Sequence, residues 1–187
     1  MSPIDAPATL PALTLVLGGA RSGKSRCAEA LVTGGGPGPW HYVATAQALD
    51  DEMRARIARH REERAGAGAW RTVEAPVELA AALDGLPGDA AVLVDCLTLW
   101  LTNLILAEHD LPGAFAALEA ALARRRGPTV LVANEVGLGI VPDNALARRF
   151  RDEAGRLNQR LAARAGRVFF VVAGIPVVVK GAAGPIA

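Results

Sequence analysis

Three groups of residues in this chain have the types and spacing to act on phosphate. The first is Gly18-Gly19-Ala20-Arg21-Ser22-Gly23-Lys24-Ser25, which fits G-x-x-x-x-G-K-[ST] at every fixed position. Glycines let the backbone curl so that successive N–H groups point at phosphate oxygens. Lys24 would bring its charge to the β- and γ-phosphates, and Ser25 would give a hydroxyl to Mg²⁺. A helix starting there aims its N-terminal dipole at the same anion. The second is Asp95, which ends the apolar run Ala91-Val92-Leu93-Val94, where an acid can act as the second metal partner of such a loop. Its other reading is an N-cap for the segment from Leu97 onward. The third is His60, set among Arg56, Arg59, Arg61 and Arg64. On spacing alone it is a histidine on a solvated helix. Four nearby arginines would nevertheless hold a triphosphate and favour neutral imidazole, the form able to attack phosphorus.

These groups need elements to position them. Leu13–Leu17 is a short apolar run stopped by two glycines, the pattern of a buried strand, and Lys24–Val32 follows as a helix. Further strands are expected at His41–Thr45, Ala90–Val94, Thr129–Ala133 and Val168–Ala173, with Pro176–Val179 as a short edge strand because proline tolerates an edge better than a centre. Helices are expected at Asp50–Arg64, with a narrow apolar stripe, and at Leu97–Glu108, Ala114–Arg126 and Ala145–Ala165. The last carries Leu146, Phe150, Leu157 and Leu161 near one face. Strands that are apolar throughout, alternating with helices, imply a mostly parallel sheet covered on both faces. The expected fold is α/β: a three-layer P-loop NTPase of RecA-like type.

Bulk properties narrow the partners. The chain has 187 residues, with 20 basic and 19 acidic side chains and a net charge of +1. That balance gives no reason to expect nucleic acid or an anionic membrane as partner, so any bound anion must be held by local geometry. The length suits one catalytic domain over residues 13–187, after a Pro/Ala-rich lead-in over residues 1–12 that is expected to be disordered. The N-terminus lacks a secretory pattern, and the longest apolar stretches fall short of a membrane span, so a cytoplasmic protein is expected. The only cysteines, Cys27 and Cys96, are far apart and outside any CxxC pair, and read as buried free thiols.

Several further blocks are distinctive in combination: Ala44-Thr45-Ala46; Asp51-Glu52-Met53 with Arg56-Ile57 and His60-Arg61; Trp70-Arg71-Thr72-Val73-Glu74; Asp95-Cys96-Leu97-Thr98 with Asn103-Leu104. The most specific runs from Asn134-Glu135-Val136-Gly137-Leu138-Gly139-Ile140-Val141-Pro142 to Asn158-Gln159. Together with the glycine-rich loop, these blocks resemble the bifunctional adenosylcobinamide kinase/adenosylcobinamide-phosphate guanylyltransferase family of cobalamin biosynthesis. The resemblance extends from about Leu13 to Lys180.

The resemblance implies two reactions. ATP or GTP phosphorylates the aminopropanol hydroxyl of adenosylcobinamide. GTP then gives GMP to a histidine, and the GMP passes to adenosylcobinamide phosphate to form adenosylcobinamide-GDP. The position matching the guanylylated histidine is His60. Some relatives carry a second histidine beside it, whereas this chain has Arg59. The resemblance further implies nucleotide contacts at Gly18 to Ser25, at Ala44, Thr45 and Ala46, at Arg61, Glu62, Glu63 and Arg64, and at Glu74 and Asp95. It also implies Mg²⁺ and a homo-oligomer such as a trimer. Glu135 reads equally as a residue lining the site and as part of a turn rich in Gly and Pro. Two alternatives stand beside this reading. One is a P-loop kinase of another small alcohol or nucleotide with His60 structural; the other is a nucleotide-sensing P-loop protein that turns nothing over.

Overall fold

The computed structural model describes residues 10–47, 51, 54 and 69–182. Seven strands form one sheet: β1 (Leu10–Gly18), β2 (Trp40–Ala44), β3 (Trp70–Glu74), β4 (Val92–Asp95), β5 (Thr129–Asn134), β6 (Ala165–Val172) and β7 (Ile175–Lys180). Their order is β3-β2-β4-β5-β1-β6-β7. Every pairing is parallel except β6 with β7. The helices are α1 (Lys24–Thr33), α2 (Leu79–Asp84), α3 (Leu97–Leu106), α4 (Leu111–Arg124) and α5 (Ala145–Arg164).

Alternation along each strand divides the core into two layers, because successive side chains of a strand point to opposite faces. Val16, Leu93, Val130, Val132 and Phe169 face α1, where Cys27, Ala28, Leu31 and Val32 meet them. Leu15, Val43, Val94, Leu131 and Val168 face the other side, covered by residues of α2, α3, α4 and α5. Strands buried on both faces explain the continuous apolar runs in the sequence. Both cysteines are buried and unlinked.

The expected layers are present, with some differences of extent. Leu10–Ala12, read above as the end of the lead-in, is the start of β1; the rest of that lead-in lies outside the described residues. β3 and α2 had no counterpart among the expected elements. β3 is a five-residue edge strand with no fully buried residue, so its sequence carries no apolar run. α2 has six residues, too few to show helical periodicity. α4 begins at Leu111, three residues earlier than expected, because the Asp110 carboxylate caps it by accepting from the Gly113 N–H at 3.2 Å and Pro112 in the first turn needs no partner.

Two basic side chains define the amino edge of the sheet. Arg125, just past α4, donates to Leu83 O and Ala90 O and to the Thr129 hydroxyl, tying α2, β4 and β5 together. His41 on β2 is buried, and its Nδ1 has no hydrogen-bond partner among the described residues. Burial, with the charges of Arg71 and then Arg125 nearby, pushes the imidazole pKa below its usual 6.5. The unfolded imidazole therefore takes up a proton below pH 6.5 that the folded one refuses. Stability from this residue should be complete above that pH and decline as pH falls through it. Melting temperatures recorded from about pH 7.5 down to about pH 5.5 should drop less steeply for His41→Gln than for the parent chain; equal slopes would remove His41 as the cause.

Candidate active site at the carboxyl edge of the sheet

In open parallel sheets, ligands bind beyond the carboxyl ends of the strands. Here that edge carries the segment Gly18 to Ser25, which runs from the last residue of β1 through a turn into the first residues of α1. The turn is fixed from within. Ser22 N–H donates to Gly19 O at 3.3 Å, Cys27 N–H to Gly23 O at 3.0 Å, and the Lys24 ammonium to Gly19 O at 3.0 Å. Arg21 has φ 56° and Gly23 φ 91°, left-handed values that turn consecutive N–H groups toward one concavity. The turn is also braced from outside. Gly174, in the two-residue turn joining β6 to β7, donates its N–H to Ser22 O at 2.8 Å, and a Cβ on Gly23 would lie 3.1 Å from Gly174 Cα. The sequence predicts a strand running on to Ala173; β6 instead ends at Val172, and nothing in the sequence signals that Ala173-Gly174 supports this loop.

Gly18 and Gly19 differ in what they face. A Cβ at Gly18 would meet Val171 O at 2.7 Å and Ser22 Oγ at 2.5 Å, whereas one at Gly19 would meet nothing within 4 Å. Packing therefore demands glycine at 18, while at 19 only a ligand approaching the backbone would. Gly18→Ala should lower the melting temperature by several degrees, as a strained core contact does. Gly19→Ala should melt like the parent while binding nucleotide at least about tenfold more weakly, the cost of holding an anion off the backbone N–H groups. Equal nucleotide affinity in Gly19→Ala and the parent would contradict this.

Across the sheet, register places the other candidates in one row. Ala44 is level with Glu74 on β3 and with Asp95 on β4. With strands about 4.8 Å apart, Glu74 and Asp95 stand roughly 10 Å from each other along the carboxyl edge. The Asp95 carboxylate makes no hydrogen bond or ion pair among the described residues. It does not cap α3: Cys96 holds the N-cap position, with no side-chain cap bond. The capping alternative is thus excluded. Ser25 lies half-buried in the first turn of α1. One carboxylate and one hydroxyl beside a phosphate cradle suit Mg²⁺, which keeps several waters and takes few protein ligands. No group of three or more His, Cys, Asp or Glu that could hold a metal occurs among the described residues.

Thr45 and several residues of the distinctive blocks also hold the scaffold at this edge. Thr45 is fully buried. Its hydroxyl donates to Cys96 O at 2.7 Å and accepts from Cys96 N–H at 2.8 Å, so it clamps the peptide beside Asp95. Asn103 donates to Thr45 O and Pro76 O. The Thr98 hydroxyl accepts from Asn134 N–H at 2.7 Å, and Asn158 reaches Asn134 O at 3.5 Å. Glu135 follows its turn reading. Its carboxylate accepts from Gly137 N–H at 2.6 Å, closing a local turn, while its own N–H donates to Gly18 O at 3.1 Å beside the phosphate loop. Ser22 Oγ and Asn134 Oδ1 are buried without partners among the described residues. Burial, and then the Asp95 charge, push the Cys96 thiol up to about 11, so it stays protonated near neutral pH and is no nucleophile. His60, Arg61, Glu62, Glu63 and Arg64 lie outside the described residues, in the segment joining β2 to β3.

This constellation can hold a nucleoside triphosphate, and comparison with known proteins narrows its use. The bifunctional adenosylcobalamin biosynthesis protein CobP of Pseudomonas aeruginosa is 51% identical, over 89% of this chain and 96% of its own. The corresponding proteins named CobU are 47% identical in Salmonella typhimurium and 45% in Escherichia coli, each over 90% of this chain and 99% of their own. Among solved structures, a KaiC-like protein from Pyrococcus horikoshii aligns over 87% of this chain and 72% of its own, at 12% identity and a TM-score of 0.43. A family profile described as cobinamide kinase / cobinamide phosphate guanyltransferase matches residues 14–179. With that match spanning nearly the whole chain, and relatives 45–51% identical to it, the chain belongs to the cobinamide kinase/cobinamide phosphate guanyltransferase family.

Proposed function

We propose that this chain carries out both reactions of its family at one nucleotide site: phosphorylation of adenosylcobinamide by ATP or GTP, and transfer of GMP from GTP to adenosylcobinamide phosphate. The observation that carries this reading is the braced Gly18–Ser25 cradle with the Asp95 carboxylate, unbonded among the described residues, on the same sheet edge, in a chain matched to the family from residue 14 to 179. In the first reaction the acceptor hydroxyl attacks the γ-phosphorus and the nucleoside diphosphate leaves. In the second, a ring nitrogen of His60 attacks the α-phosphorus of GTP and the bond to the β-phosphate oxygen breaks, releasing pyrophosphate. The acceptor's phosphate oxygen then attacks the same phosphorus and the N–P bond breaks, regenerating His60.

The residues divide the work by chemistry. Backbone N–H groups of Gly18 to Ser25 and the Lys24 ammonium hold the β- and γ-phosphates. They neutralise the leaving pyrophosphate in one reaction and the transferring phosphoryl group in the other. Ser25 and Asp95 would hold Mg²⁺, which would supply positive charge against the phosphates. Arg61 and Arg64, near His60 in sequence, clamp phosphate oxygens bidentately. Ala44, Ala46 and Glu74, beside Asp95 on the carboxyl edge, complete the nucleotide's surroundings. The exposed apolar residues of edge strand β7, Ile175, Val177 and Val179, favour self-association as a homo-oligomer. Two buried unlinked thiols suit a reducing compartment such as the cytoplasm.

The test is incubation with adenosylcobinamide, Mg²⁺ and GTP, with the corrinoids resolved by mass. The phosphate should appear first and the GDP derivative after it. Nucleotide binding without any corrinoid product would contradict the reading. In the same assay, Asp95→Asn should need a several-fold higher Mg²⁺ concentration for half-maximal rate, because it removes one of the few charged metal contacts. An unchanged Mg²⁺ titration would take Asp95 out of the metal site.

A further inference from the structure

The apolar stripe of α5 is covered along only half its length. Leu157 and Leu161 are buried, Phe150 is half-buried, and Leu146 is 53% exposed. Asn158 meets Asn134 O at the end of β5. At 1.5 Å per residue, the thirteen residues from there back to Ala145 put the helix start about 20 Å along the helix axis from that contact. The uncovered half of the stripe therefore stands on the carboxyl-edge side, the side of the phosphate loop. α3 meets it there, starting from Thr98 beside Asn134 and ending at Leu106, which is 59% exposed. Between the two helices lies a cavity of about 380 Å³ walled by Thr102, Ile105, Leu106, Leu146, Ala147 and Phe150. Among the described residues, no charged side chain lines it.

The cavity and the phosphate loop are joined by a single stretch of chain. Glu135 N–H is bonded to Gly18 O at one end, and Asn144 sits on the cavity wall at the other. That stretch is held in place by the Glu135–Gly137 turn and by Arg148, which donates to Pro142 O and Asp143 O. It nevertheless presents Leu138, Ile140 and Val141 to solvent at 80%, 97% and 62% exposure. An exposed apolar track leading from a phosphate cradle to a neutral groove marks a binding surface. The division also matches the chemistry of the acceptor. A corrinoid has a broad ring edged with methyl groups and neutral amides, and its reacting hydroxyl or phosphate sits at the end of a flexible arm. A neutral apolar groove complements the ring, and a cationic cradle complements the arm's phosphate and the nucleotide.

We propose that the groove between α3 and α5 seats one edge of the corrin ring of the acceptor, and that the Asn134–Asn144 stretch is the track along which the acceptor's arm reaches the nucleotide phosphates. The volume is at the small end of the usual range for ligand pockets, about 300–1,000 Å³, so it takes an edge of the ring and leaves the remainder outside. This rests on the corrinoid reading of the site given above and adds where the acceptor is held.

The test uses Leu106→Lys and Leu146→Glu. Both positions are exposed, and each new charge suits the helix end that carries it, so folding should be unaffected. Adenosylcobinamide binding is measured by equilibrium dialysis through its visible absorbance, and GTP binding is measured separately. Each variant should bind the corrinoid at least about tenfold more weakly, since a charge would be forced against an apolar ring edge, while GTP affinity and melting temperature stay at parental values. Corrinoid affinity within twofold of the parent in both variants would overturn the proposal. So would variants that sediment as a smaller species than the parent, because a second copy of the chain would then occupy the groove. A parent chain that binds corrinoid in the groove but converts none would sink the catalytic reading and leave this one standing.

Discussion

Lys24→Ala is expected to abolish phosphorylation and guanylylation together, each by at least about 10²–10³-fold, the loss seen when a preorganised charge is taken from a developing anion. The lysine is buried at the base of the phosphate turn, with its ammonium 3.0 Å from Gly19 O. No other cation on α1 reaches the same concavity by its sequence position: Arg26, two residues on, is exposed. The two reactions break different bonds of the triphosphate, yet both require its β- and γ-phosphates to be gripped. Loss of one activity with the other kept near the parental rate would mean two separate nucleotide sites. Lys24→Arg should rescue little, because a planar guanidinium does not fit a slot shaped for a point charge.

His60→Ala is expected to separate the reactions. Guanylyl transfer should fall to background, a loss of at least about 10³-fold for removal of a nucleophile, while phosphorylation continues and adenosylcobinamide phosphate accumulates. Analysis of the corrinoids by mass over a time course reads both at once. Formation of the GDP derivative at the parental rate would make His60 structural, and the chain a kinase whose guanylyl transfer runs by direct attack.

Much of this architecture can be read from residues 18–25 and the strands around them, because phosphate chemistry at that loop dictates both residue type and backbone shape. An apolar run, two glycines and a lysine at the helix start predict β1 and α1 to within a few residues. β3 and α2 escape such reading for physical reasons. Trp70–Glu74 lies at the sheet edge with only partly covered side chains, so it shows neither a continuous apolar run nor clean alternation. Leu79–Asp84 completes fewer than two turns.

The site divides differently. The loop residues and Asp95 declare themselves through spacing and position. Thr45, Thr98, Asn103 and Asn134 stand out in the sequence only as parts of distinctive blocks, and their purpose is invisible there. It becomes clear when strands far apart in the chain bring Thr45 to Cys96 and Thr98 to Asn134. The side chains of Thr45, Thr98 and Asn103 satisfy backbone groups at the sheet's carboxyl edge, those of Asn134 among them, and so fix the peptides that carry Asp95 and Glu135. Sequence spacing reports the chemistry of a loop whose parts are neighbours in the chain. It does not report hydrogen bonds between residues 36 to 58 positions apart. The same limit applies to Leu146: the α5 periodicity predicts an apolar stripe, but only the helix's extension past β5 shows that half of the stripe is uncovered.

Intact-protein mass shows whether one phosphate cradle serves a histidine nucleophile. The parent chain, Lys24→Ala and His60→Ala are each incubated with Mg²⁺ and GTP, beside an ATP control. The account predicts a single acid-labile GMP-sized increment on the parent with GTP, and none on either variant. An increment of the same size on His60→Ala would contradict it, as would a parent chain that binds GTP yet gains no mass with or without adenosylcobinamide phosphate.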